Sequence, residues 1–131
     1  MARLVLDMAP AAWLIRAAVA VVWLYEGLWC KLLRGQPHEF AVVAAVPRFG
    51  PRYGVRFLLA LGGVEVVIAA WVMSARYPLA CAAMQTALLL LLNGSGLTWS
   101  RHLIPDPAGM VVRNASFLVL VWVAAGLPPA A

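Results

Sequence analysis

The sequence predicts an all-α integral membrane protein: a four-helix bundle with a short interfacial helix between spans one and two. The first observation is composition, because the chain of 131 residues is 65% hydrophobic and only 11% charged. Soluble globular domains do not normally combine these values, so a soluble enzyme is close to excluded. The second observation is a set of four apolar stretches, each near the roughly 20 residues that a helix needs to cross a bilayer. We therefore expect a single transmembrane domain over residues 1–131.

The four spans are delimited by prolines, glycines and polar turns. Span one is predicted at residues 11–33, span two at 53–73, span three at 77–93 and span four at 108–127. Pro10 precedes span one, and Pro128 and Pro129 close span four. Because only about three residues separate spans two and three, they should form a tight antiparallel hairpin.

The connection between spans one and two predicts the interfacial helix. Residues 38–46 read HEFAVVAAV, and helical spacing places Phe40, Val43 and Ala44 on one face. An apolar face of this kind favours a short helix at the membrane surface.

Charge in the loops predicts the orientation. Both long loops lie on one side of the membrane, which carries Lys31, Arg34, Arg48, Arg52 and Arg101, whereas the other side has Arg3 and Arg76. The positive-inside rule places the long loops in the cytoplasm and both termini in the periplasm or outside. The net charge of +5 is spread over loops and helix ends, which indicates lipid headgroups and not nucleic acid as the partner.

Residues for common catalytic and metal chemistry are sparse. Cys30 and Cys81 are isolated, so we interpret them as small buried side chains, with a disulfide or a redox thiol as the alternatives. His38 and His102 lie in loops without a second ligand at helical spacing, so no metal or haem is expected. There is no Ser-His-Asp set, P-loop or dinucleotide fingerprint, and enzyme activity is left open.

Five charged residues interrupt the apolar spans: Arg16, Glu26, Arg56, Glu65 and Arg113. A charge at the middle of the bilayer costs about 2.5–3.5 kcal/mol, so these side chains should point inward or snorkel. Lys31 follows Glu26 by five residues, which in an α-helix separates the two by about 140°. Counting depth along the spans, we predict that Glu26 pairs with Arg113, or with Arg56, and that Asn114 completes the network.

Glu65 lies deeper, and Gln85 on span three is its nearest polar candidate. We expect its carboxyl group to be protonated and to donate a hydrogen bond to Gln85 or to a ligand carbonyl. On span one, helical spacing places four residues on one face: Trp23, Glu26, Gly27 and Cys30. The missing side chain of Gly27 would admit another helix or a flat ring there. Two interpretations stay open: polar contacts that hold the helices together, or a ligand or proton site.

Three short motifs resemble the DoxX-like family of membrane proteins. Residues 23–33, WLYEGLWCKLL, resemble its first-helix signature, which includes Lys31. Gly62-Gly63-Val64-Glu65 looks like its Gly-x-x-Glu in helix two, and Asp106-Pro107 followed by Asn114 is similar to its Asn-Pro and later Asn. The order of the motifs extends the resemblance over nearly the whole chain.

The resemblance implies a four-helix bundle in the bacterial inner membrane. It also implies a link to redox work in the membrane, such as that of the small subunit of thiosulfate:quinone oxidoreductase. A quinone is then the expected ligand, since it needs only an apolar slot with a few polar contacts. The predicted ligand-binding or polar core residues are Trp23, Glu26, Lys31, Glu65, Gln85, Arg113 and Asn114. The alternative is a non-catalytic accessory subunit that stabilises a larger membrane complex of several protein subunits.

Overall fold

The computed structural model describes the backbone of residues 2–128 and the side chains of residues 11–128. Its helices are α1 (Ala2–Leu24), a π-helix that continues it (Tyr25–Leu32), α2 (Pro37–Ala44), α3 (Gly50–Ser74), α4 (Pro78–Trp99), a 3-10 turn (Arg101–Leu103) and α5 (Pro107–Ala125). Four helical segments of the described chain are long and apolar enough to cross a membrane: Ala11–Leu32, Gly50–Ser74, Pro78–Trp99 and Pro107–Ala125. The prediction of an all-α membrane bundle is confirmed.

The helix boundaries differ from the predicted spans in three places. α1 begins at Ala2, so Pro10 does not mark its start. α3 begins at Gly50, because Pro51 fits the first turn of a helix, where no backbone N–H is needed. α4 continues beyond Asn93 to Trp99, since Gly94 and Gly96 each cost a helix only about 1 kcal/mol. Pro129, predicted to help close span four, lies outside the described residues.

A three-residue turn joins α3 to α4. It consists of Ala75, Arg76 and Tyr77, with Ala75 and Tyr77 in the left-handed region at φ 55° and 49°. The Trp71 indole N–H donates to the Arg76 carbonyl at 2.8 Å, which ties the turn to α3. The predicted tight hairpin is therefore present.

The bundle is tightly packed at its hairpin end. Its core consists mainly of small and aliphatic side chains: Val19, Ala20, Trp23, Ile68, Ala69, Val72, Cys81, Ala82, Leu89, Val121, Ala124 and Ala125. Arg16 is buried at this end, where it donates to the Pro128 carbonyl at 2.6 Å and lies over the Trp13 ring. The prediction that Arg16 points inward thus holds.

Towards the long loops the helices separate. α1 and the π-helix pack closely on α3, and α4 packs on α5, but α3 and α4 touch only sparsely although they are consecutive. α2 packs along the start of α3, and the buried Ser100 hydroxyl at the end of α4 donates to its Val42 carbonyl. α2 therefore lies across the hollow end of the bundle.

Candidate functional site

The site begins with a close crossing of the π-helix and α3 at two glycines. A Cβ added to Gly27 would lie 2.6 Å from the Gly62 carbonyl oxygen, and one added to Gly62 would lie 2.9 Å from the Gly27 carbonyl oxygen. Real Cβ contacts are not this short, so the two backbones can approach only because neither residue has a side chain. Of the two possibilities that the sequence left for Gly27, a neighbouring helix is the one observed.

The π-helix determines which side chains of span one face the interior. Its i→i+5 hydrogen bonds continue to Leu33, whose N–H donates to the Leu28 carbonyl at 2.8 Å. This hydrogen-bond pattern aligns residues five apart, which an ordinary α-helix places on different faces. Glu26 and Lys31 consequently meet: Lys31 Nζ lies 3.6 Å from Glu26 Oε2 and donates to the Glu26 carbonyl at 3.3 Å.

The predicted pairing of Glu26 with Arg113 or Arg56 is therefore wrong. Within residues 11–128 the ion pair of Glu26 is with Lys31, while Arg113 and Arg56 are both exposed. The pairing was predicted from α-helical spacing between Glu26 and Lys31, but this segment is a π-helix. Arg113 reaches the cavity described below without pairing with Glu26.

Glu65 contacts the same lysine. Its Oε2 lies 2.9 Å from Lys31 Nζ, and only 2% of its side chain is exposed. The predicted partner Gln85 is instead bonded to Trp23, whose indole N–H donates to Gln85 Oε1 at 2.7 Å. That prediction failed because it counted depth at the Cα atoms, whereas the long lysine side chain extends from its own Cα to the Glu65 carboxylate.

A third carboxylate comes from α2. Glu39 Oε2 lies 3.4 Å from Lys31 Nζ, and this oxygen is buried with no hydrogen-bond partner among the described residues. The Glu39 side chain as a whole is 31% exposed, so one part of it is in contact with the surface while Oε2 is buried. Close packing positions it: a Cβ on Gly50 of α3 would overlap the Val43 and Ala44 carbonyls of α2.

We call Glu26, Lys31, Glu39 and Glu65 the ion cluster. Three carboxylates surround one ammonium group, so the cluster has more acid than base. Burial raises the pKa of Glu39, the Lys31 charge opposes the rise and the Glu26 charge adds to it, and the resulting pKa is about 7. Glu39 is therefore a group that can exchange a proton near neutral pH.

The ion cluster forms one wall of a cavity of about 490 Å³ in the hollow end of the bundle. The rest of the wall is mostly apolar, with residues from all four spans and from α2. Ligand pockets in proteins usually have volumes of about 300–1,000 Å³ and this type of lining. The cavity could therefore hold an apolar molecule with a polar end.

Aromatic rings lie where the cavity meets the packed core. Trp23 and Phe117 both line it, and their rings meet edge to face with centroids 5.8 Å apart. Gln85 accepts a hydrogen bond from the Trp23 indole and donates one to the Cys81 carbonyl at 3.2 Å. These two hydrogen bonds fix the orientation of the Trp23 ring relative to α4. Gln85 itself lines a separate, much smaller cavity beside Arg16.

The opposite wall carries a pair of asparagines. Asn114 Nδ2 donates to Asn93 Oδ1 at 2.7 Å, and Asn93 Nδ2 donates to the Leu89 carbonyl at 2.8 Å. Asn114 thus joins α5 to α4 and not to Glu26 as predicted. Asp106 caps α5, since its side chain accepts a hydrogen bond from the Gly109 N–H at 3.0 Å. This capping role explains why Asp106 stands in the third sequence motif, and no ligand is needed to explain it.

Both cysteines are buried free thiols. Cys30 lies beside the ion cluster, where its sulfur and one oxygen each of Glu26 and Glu39 fall within 4.8 Å of one another. Such donors could hold a divalent cation, but the Lys31 ammonium already lies against both carboxylates and would repel one. We therefore interpret the group as part of the ion cluster.

The sequence did not predict Glu39 and Asn93 as neighbours of the site. Cys30 was predicted on the face of span one that carries Glu26 and Gly27, and it lies beside the ion cluster. For Glu39 a signal was present, since it is the acidic residue of the predicted interfacial helix and lies opposite Lys31 across a short loop. Nothing in the local sequence indicates that Asn93 bonds to Asn114, because that contact depends on how α4 and α5 pack.

Four membrane spans, a hollow end and a buried ion cluster define a small multi-pass membrane protein with an internal cavity. A sequence model of the DoxX-like family matches residues 20–122, which include all four spans in whole or in large part. The chain belongs to the DoxX-like family, and the resemblance seen in its motifs is confirmed. Searches of curated proteins and of solved structures gave no match.

Proposed function

We propose that this DoxX-like protein binds a quinone, or a similar lipid-soluble ring compound, in its cavity as a redox-associated subunit in the bacterial inner membrane. The observation that carries the proposal is the cavity itself: it has a volume of about 490 Å³, is largely apolar, and has the ion cluster in its wall. A quinone matches this arrangement because its ring and tail are apolar and its carbonyl oxygens accept hydrogen bonds.

The position of the polar groups supports this ligand class. The cavity wall carries the ion cluster from the π-helix, α2 and α3, and the Asn114 amide from α5, so polar groups are present for both ends of a ring. Trp23 and Phe117 supply flat apolar surface at the inner end. The sparse contact between α3 and α4 favours access for a ligand that is dissolved in the bilayer.

Filling the cavity tests the proposal. Gly96 lines the cavity, and only the Ile104 side chain lies within 4 Å of an added Cβ, so Gly96→Leu places a new side chain in the space without a backbone clash. Gly94→Leu is the matched control, because an added Cβ there meets nothing within 4 Å and Gly94 is absent from the cavity wall.

The measurement is binding of decylubiquinone to the purified protein in phosphatidylcholine nanodiscs, read by quenching of tryptophan fluorescence. We expect saturable binding by the wild type and by Gly94→Leu, and at least about tenfold weaker binding by Gly96→Leu, which is a loss of about 1.4 kcal/mol. Equal binding by all three proteins, or binding by none, would refute the proposal.

The accessory-subunit alternative predicts a different result. A purely structural subunit would bind no ring compound, and Gly96→Leu would leave the assembly unchanged. Absence of saturable binding by the wild type is therefore the outcome that favours this alternative.

A further inference from the structure

Glu39 has a position that no other carboxylate of the ion cluster shares. Glu65 is 2% exposed and lies 2.9 Å from Lys31, so it is almost fully buried. Glu26 Oε2 is farther from Lys31, at 3.6 Å, on a side chain that is 39% exposed. Glu39 alone combines partial exposure with a buried oxygen that receives no hydrogen bond among the described residues.

The Glu39 side chain is part of the cavity wall. Glu39 and Lys31 line the cavity together, on opposite sides of the loop between span one and α2. Because Glu65 already balances the charge of Lys31, the lysine does not need Glu39 to remain paired. Glu39 can therefore gain a proton without leaving a cation alone in the interior.

The surroundings of Glu39 make proton uptake favourable. Charged or titratable groups surround Glu39 on several elements. They are Glu26, Cys30 and Lys31 of the π-helix, Glu65 of α3, His38 of α2 itself, and Asp106 and Arg113 across the cavity. The carboxylates outnumber the one ammonium group in contact with them, and ionisation of Glu39 adds to the surplus.

We infer that Glu39 is a proton-linked ligand residue: it takes a proton from water on the long-loop side and donates that proton in a hydrogen bond to a carbonyl oxygen of the ring in the cavity. The proton moves from a hydronium ion to the carboxylate and stays on Glu39 in the complex, so no oxidant or reductant is required. This inference rests on the proposed function, because it names how the same cavity recognises the oxidised form of its ligand.

The pH dependence follows from the sign of this linkage. The pKa of Glu39 is already raised to about 7, and a hydrogen bond donated by its protonated form raises it further in the complex. Affinity for the ring is then full well below pH 7 and falls as the pH rises through that value, by at most about tenfold per pH unit because one proton is linked.

The experiment measures decylubiquinone affinity in nanodiscs from pH 5.5 to pH 8.5 for the wild type, Glu39→Gln and His38→Gln. In the wild type we expect affinity to decline above about pH 7. Glu39→Gln keeps a hydrogen-bond donor of the same shape that does not titrate, so its affinity should stay near the low-pH value throughout. His38→Gln controls for the adjacent imidazole and should keep the wild-type decline.

Calorimetry in two buffers of different ionisation enthalpy supplies a second measurement. At pH 7.5 the wild type should take up a fraction of a proton on binding, and Glu39→Gln should take up none. A decline that persists in Glu39→Gln, a decline abolished by His38→Gln, or binding without proton uptake would each refute the inference while leaving the proposed function intact. Absence of binding at every pH would refute the proposed function, and the inference with it.

Discussion

Lys31 is the residue on which the interior charges depend. Its ammonium group contacts Glu26, Glu39 and Glu65, and its side chain is 6% exposed. Removing it leaves buried carboxylates without a counter-charge, whereas removing one glutamate leaves the lysine with two others. The consequences of substitution should therefore be asymmetric within the ion cluster.

We expect Lys31→Met to lower the free energy of unfolding by about 3–5 kcal/mol, as for other buried pairs that lose one partner. Glu65→Leu should cost less, and the double variant should cost less than the sum of the two because neither charge is then stranded. Unfolding in mixed detergent micelles measures the cycle. Arg56→Met, at an exposed arginine, is the control and should change stability by about 0.5 kcal/mol or less. Additive effects of Lys31→Met and Glu65→Leu would contradict the ion pair.

At the scale of single residues the sequence indicated which side chains matter but not how they pair. Glu26 and Glu65 stand out because charge is expensive in an apolar span, and Lys31 stands out because it belongs to the first motif that resembles the family. Their partners could not be derived, because a depth count along ideal helices ignores both the reach of a lysine side chain and a change in helix type. The partner of Trp23 was equally hidden, since it depends on how α1 and α4 pack.

Among the elements, the π-helix and the glycine crossing act together. The π-helix turns Lys31 inward, and the contact of Gly27 with Gly62 brings α3 close enough for Glu65 to reach it. π-helical segments are rare in proteins, and those that occur are often found at functional sites. The position of this π-helix beside the cavity fits that pattern.

The crossing predicts different effects for two neighbouring glycines. Gly62→Ala puts a Cβ 2.9 Å from both the Gly27 carbonyl oxygen and Lys31 Cβ, so the helices must separate, at a cost of about 1–3 kcal/mol. Gly63→Ala is the matched control, because nothing lies within 4 Å of its added Cβ and alanine favours a helix.

Unfolding in detergent tests this difference, and Gly62→Ala should also weaken decylubiquinone binding because Lys31 and Glu65 move apart. If Gly62→Ala proves as stable as Gly63→Ala, the close approach of the two helices is not present in solution.

For the whole molecule, orientation in the membrane is still a prediction. Lys31 is neutralised within the ion cluster, but four basic residues on the long-loop side are exposed: Arg34, Arg48, Arg52 and Arg101. The positive-inside rule therefore still places the long loops, and with them Glu39 and the end of the cavity that α2 covers, on the cytoplasmic side.

Reporter fusions at Ala131 measure the orientation in bacterial cells. A C-terminal alkaline phosphatase should be active and a C-terminal green fluorescent protein dark, because that terminus is predicted to face away from the cytoplasm. The reverse pattern would place Glu39 in exchange with the outer side.

The sequence by itself determined the membrane class, the number of spans, the hairpin, the interfacial helix and the family. These properties follow from the lengths of the hydrophobic stretches, from turn residues and from short motifs, all of which are local features of the sequence. The bilayer itself imposes the length and the helical form of the spans. The tertiary structure decided that Lys31 holds three carboxylates, that Gly27 admits α3 and that the long-loop end is hollow. The physical reason is that each of these depends on helix packing and on a local change of helix type, neither of which leaves a periodic signal in the chain.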